Sequence, residues 1–153
     1  MLNIGSEYVG WLQMYEFEGF LTVRLPRNIH PLKAQPQIIE DVLRPLSKFL
    51  KTRIAAISVF SYGHPGLQLP HVHALLLSKS QQLTTRISEA QDFLKFSKEK
   101  HTQLNTHRAA IMLLPFIAER HLHYTADHII ADADVNYYDK KLLASLKTTG
   151  AIQ

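Results

Sequence analysis

A chain of 153 residues with 46% hydrophobic and 20% charged side chains has enough apolar content for one packed domain, spanning 1–153, and is not a disordered sequence. It has no cysteine, which excludes a disulfide framework and a thiol nucleophile and fits a reducing, cytoplasmic setting. The formal net charge of +4 favours a polyanionic partner, while the short apolar runs and the lack of a leader pattern give a soluble protein with no membrane association as the expectation.

Residues 20–25 (FLTVRL) alternate in polarity and predict a strand closed by Pro26. Residues 37–51 carry Ile38, Ile39, Val42, Leu43, Leu46, Phe49 and Leu50 at helical spacing, with Pro45 implying a late start or a kink. Residues 53–62 and 69–78 are strand-forming, and Gly63, His64, Pro65 and Gly66 between them supply turn chemistry, so the two form a hairpin. A second amphipathic helix is expected over 83–98, a strand over 108–114 and a further strand over 121–130. Asp132 or Asp134 then caps a final helix that runs to about Thr148 and stops at Gly150. Helices alternate with strands around a tight hairpin, which predicts an α+β fold: a mainly antiparallel sheet of about five strands with helices on its faces.

Chemistry enters at His71 and His73. Side chains alternate along a strand, so the two imidazoles share a face and can converge on one cation, held rigid by the apolar run that follows. The same spacing suits a hydrogen-bonded strand edge, and a second pair at His121 and His123 carries the same two readings. His64, seven positions before His71 in the turn, is either a third ligand or a turn residue only, with Gln68 and Glu16 as alternatives. A histidine-triad nucleotide hydrolase needs a third histidine where Leu75 stands, and is set aside.

On the final helix, Val135, Tyr138, Leu142 and Leu146 fall on one stripe, so Tyr138 packs and Tyr137 turns about 100° away. Lys140, one turn on, then sits beside the Tyr137 phenol, where an ammonium can hold a phosphate or stabilise a phenolate. The plainer reading is a surface aromatic next to an exposed lysine. Lysines at 95, 98 and 100 and at 140, 141 and 147 are either solvated helix faces or a surface that follows a charged backbone.

FLTVRLP near the start, PHVHALLL after a hairpin and VNYYDKK on a late helix, in that order, resemble the HUH endonucleases, in particular the rolling-circle replication initiator (Rep) branch of single-tyrosine type. The resemblance runs from about Phe20 to Leu143. It implies a ferredoxin-like fold and a single nicking domain. His71 and His73 would hold Mn²⁺ or Mg²⁺, Tyr137 would attack single-stranded DNA at a replication origin and Lys140 would assist. A 5′-phosphotyrosine intermediate would conserve the bond for rejoining, Arg24 and Lys141 would follow the DNA backbone, and a separate helicase would open the duplex. The family often places a carboxylate where this chain has His64, and no Asp or Glu lies between Arg53 and His71. A single-tyrosine transposase of the same superfamily, a non-catalytic DNA-binding protein of this fold and a structural metal protein are the competing expectations.

Overall fold

The computed structural model describes residues 4–24, 31–61, 71–96, 111–132 and 135–147. In chain order these form α1 (Ile4–Leu12), β1 (Gly19–Arg24), α2 (Pro31–Leu50), β2 (Ile54–Ser61), β3 (His71–Ser78), a 3₁₀ turn, α3 (Gln82–Thr85), α4 (Ile87–Phe96), β4 (Ile111–Pro115), α5 (Ala118–Asp132), β5 (Val135–Tyr138) and α6 (Lys140–Leu146). The five strands make one sheet ordered β4-β1-β3-β2-β5, and every pairing in it is antiparallel. The stretch from β1 to β4 therefore follows the split β-α-β-β-α-β connectivity, with β5 added at the β2 edge.

The sheet is covered on both sides, and strand periodicity divides its side chains between two cores. Val72, Ala74 and Leu76 of β3 join Val42, Leu43 and Leu46 of α2 and Ala90 and Leu94 of α4. Leu75 and Leu77, on the other face, meet Val9 and Leu12 of α1, Leu122 and Ala126 of α5 and Leu142 and Leu143 of α6. Because β3 is central and doubly covered, all eight of its residues are buried, its histidines included. Among the described residues no helix is long and apolar enough to cross a membrane.

A buried carboxylate locks β1 to the end of β3. Glu18 accepts hydrogen bonds from the Ser78 backbone N–H, the Ser78 hydroxyl, and the Thr84 N–H and hydroxyl, the last two at 2.8 and 3.0 Å. The bonds from Thr84 satisfy a donor at the start of α3, and both oxygens of the buried carboxylate are hydrogen-bonded.

Several expected elements differ. Helix α2 begins at Pro31, earlier than residue 37, and runs through Pro45; a proline in the first helical position gives up no bond. The helix expected over 83–98 is broken at Arg86 into α3 and α4. Residues 121–130 are not a strand but part of α5, because Leu122, Thr125 and Ala126 supply a buried helical stripe. Tyr137 and Tyr138 are not on the final helix: Val135–Tyr138 is β5, paired with the β2 edge, and helix α6 starts only after Asp139. The α1 helix had no counterpart among the expected elements. The turn between β2 and β3, with His64 and Gln68, lies outside the described residues.

Candidate functional site

Three neighbouring strands lay out the site as a grid on the face of the second core. Arg24 lies opposite His71; Thr22 lies opposite His73 on one side and Met112 on the other; Phe20 lies opposite Leu75 and Leu114 in the same way. Helix α5 crosses this grid and contributes the adjacent Arg120 and His121, with Tyr124 one turn further on. Together they line a half-open cavity of about 520 Å³.

Ring packing sets its interior. Phe20 stacks on His121 with centroids 4.2 Å apart and planes within 5°, and on His73 at 5.1 Å. His71 and His73 meet edge to face at 4.5 Å. Tyr124 sits edge-on to His73 at 5.0 Å and remains 43% exposed. The three histidines are all buried. Thr22 Oγ1 lies 3.2 Å from His73 Nδ1, which fixes the ring's orientation.

The protonation of His121 follows from its partner. The Ile117 backbone N–H donates to His121 Nδ1 at 2.9 Å, so that nitrogen must carry a lone pair and, in the neutral ring, the proton sits on Nε2. Burial, and secondarily the charge of Arg120, lowers its pKa from the ordinary 6.5. His121 is thus a neutral ring with one N–H to donate, which makes it a hydrogen-bond donor rather than a metal ligand. Burial raises the Tyr124 phenol above its ordinary value, so it is protonated at neutral pH.

Of the residues read from the sequence, His71, His73 and Arg24 come together at this cavity. His71 and His73 present two imidazoles on one face, their centroids 4.5 Å apart, and are two of the nitrogen donors that a divalent cation's shell would need. Among the described residues no group of three His, Cys, Asp or Glu side chains is placed to hold a metal. Glu16 is exposed, accepts from Gln81 Nε2 at 3.3 Å and borders a different cavity. Tyr137 shares the sheet face of the histidines, but opposite Ile57 on the far side of β2, where it is edge-on to Trp11 at 6.3 Å. Lys140 and Lys141 are exposed on α6, and like Tyr137 they do not line the histidine cavity. Tyr138 does pack, as expected, but against the core on the opposite face, because alternation along β5 rather than a helical stripe separates it from Tyr137.

The sequence did not single out Arg120 or Tyr124, and it offered His121 only as half of a possible metal pair with His123; the signal was the face that these three share, one turn from Arg120 to Tyr124, beside the buried stripe Leu122, Thr125 and Ala126. The alternation of His121 and His123 concealed it, and on the helix that pair diverges, His121 being buried and His123 exposed. No protein-family model, no curated protein and no solved structure matches the chain.

Proposed function

We propose that the chain nicks and rejoins single-stranded DNA through a covalent tyrosine intermediate, as do the HUH initiators of rolling-circle replication that its motifs resemble, and that Tyr124 is the nucleophile. The observation that carries the reading is a half-exposed tyrosine ring 5.0 Å from His73 in a cavity that two arginines also line.

Arg24 and Arg120 are suited to hold the charged backbone, and the His121 Nε2–H to donate to a non-bridging phosphate oxygen. A divalent cation, Mn²⁺ or Mg²⁺, held by His71 and His73 would supply Lewis-acid charge at the scissile phosphate. The Tyr124 oxygen attacks phosphorus, a P–O bond to the phenol forms and the P–O3′ bond breaks. The phenolic proton passes to solvent and the departing 3′-oxygen takes one up. The resulting 3′-hydroxyl can prime synthesis or reverse the step, since the phosphodiester energy is kept in the phosphotyrosine. The raised Tyr124 pKa means that this proton must be lost during the reaction rather than before it. On duplex DNA, a separate helicase would have to expose the strand.

The test is incubation with a pool of single-stranded oligonucleotides and Mn²⁺, followed by a denaturing gel for protein bearing DNA. The adduct should form with wild type, vanish with EDTA, in His71→Ala, in His73→Ala and in Tyr124→Phe, and persist in Tyr137→Phe. Peptide mapping of the trapped adduct to Tyr137 would return the nucleophile to β5. Tight DNA binding with no adduct from any strand would make this a binding protein and not a nickase.

A further inference from the structure

The cavity is chemically two-sided. Its β3 half holds the histidines and Arg24, whereas its β4 half is floored by Met112 and Leu114, which are 48% and 36% exposed. Beta-strand alternation puts both on the face of Thr22 and Phe20, and Tyr124 closes this half edge-on to Phe20 at 6.1 Å. A volume of about 520 Å³ is far more than one phosphate group fills and lies in the range that holds a compact organic ligand. Large apolar side chains kept in contact with solvent beside a cationic reaction centre call for an occupant that is flat and apolar on its faces yet joined to negative charge.

A nucleotide has that combination. A polypeptide strand docking on β4 would need the strand's edge, and the Leu113 carbonyl there already accepts a hydrogen bond from Gln91 Nε2 of α4 at 3.0 Å, which blunts the edge. We propose that the β4 half of the cavity is a base-binding subsite. It receives the unstacked base of the nucleotide adjoining the phosphate at the histidines, seated on Met112 and Leu114 beside Tyr124, with Arg24 and Arg120 reaching the adjoining phosphates. This rests on the nucleic-acid reading of the same site. The floor offers side-chain surface and no hydrogen-bonding edge, so the subsite senses that a base is present more than which base it is; the larger purine face gains most.

Fluorescence anisotropy in EDTA, where no cleavage occurs, separates the subsite from the reading it rests on. The probes are a labelled oligodeoxyadenylate and a strand of equal length built from abasic tetrahydrofuran nucleotides. Wild type should bind the base-bearing strand about tenfold more tightly. The Met112→Ser/Leu114→Ser double variant, altered only at exposed side chains, should lose that preference while binding the abasic strand as wild type does. Equal affinity of wild type for both strands, or an unchanged preference in the variant, would overturn the subsite and leave the nucleic-acid reading standing. Failure of wild type to bind either strand would overturn both. A shift in sedimentation velocity on substitution, with DNA affinity unchanged, would instead make the apolar floor a contact between two copies of the chain.

Discussion

His121 performs two tasks with its two ring nitrogens, and they conflict with carrying charge. Nδ1 accepts the Ile117 N–H at the start of α5, while the ring face is stacked on Phe20. Protonation would place a second proton where the backbone donor points and break that bond. With the folded pKa lowered below 6.5 by burial, the contribution of His121 to stability is complete above that value and is lost as the pH falls through the lowered one. Unfolding free energies from urea titrations at pH 7 to 5 should therefore fall more steeply in wild type than in His121→Gln, by at most about 1.4 kcal/mol per pH unit for one proton. Parallel curves would show that folding does not lower the His121 pKa, and would remove the burial argument for a neutral donor at the site. The adjacent Tyr124 owes its place to the same stack, since docking His121 on Phe20 brings the tyrosine one turn on against His73.

Asp139 makes the junction between β5 and α6. Its backbone takes the left-handed conformation at φ 58°, and its carboxylate accepts the Leu142 N–H while gripping Arg53 through Nε and Nη2 at 3.0 and 2.6 Å. One side chain thus caps a helix and ties the end of β5 to the residue before β2. Asp139→Ala removes the cap and puts a β-carbon without a compensating bond at positive φ, at a cost of about 1–2 kcal/mol. Asp139→Asn keeps an acceptor and tolerates that φ, and should cost less than the alanine in urea unfolding; the exposed Arg53 pair contributes little. Equal losses would assign the effect to the ion pair. The same junction explains what the sequence concealed. Val135, Tyr138, Leu142 and Leu146 read as a helical stripe, yet the first two lie in a strand selected by the open edge of β2, a partner 78 positions away for Asn136 and Ser58. Four residues are too few for periodicity to decide between strand and helix. By contrast β1, β2 and β3 were legible, because alternation or a continuous buried run extends over each and Gly and Pro mark the connection. The same local rule placed His71 and His73 on one face, whereas Arg24 joins them through the pairing of β1 with β3 and Tyr124 through the packing of a helix across the sheet.

At the scale of the molecule, a split β-α-β-β-α-β sheet usually leaves one face to be covered by something else, and here α1, α5 and α6 cover it except where the histidine cavity opens. Its charge is the last physical handle on what enters. The chain carries a formal net charge of +4, a weak overall field, but Arg24 and Arg120 approach the cavity from two different elements, β1 and α5. A single strand of DNA bound there releases a counterion for each phosphate that they neutralise, so log K should fall with log salt by about 0.7 per contact. Arg24→Gln and Arg120→Gln should each reduce that slope by about 0.7 in titrations from 50 to 200 mM, roughly the interval over which such terms are read. Lys141→Gln, exposed on α6 and away from the cavity, should leave it unchanged. A slope that drops with Lys141 and not with the arginines would mean that the strand runs past β5 and Tyr137, the surface that the sequence first suggested, and would move the search for the reacting tyrosine there.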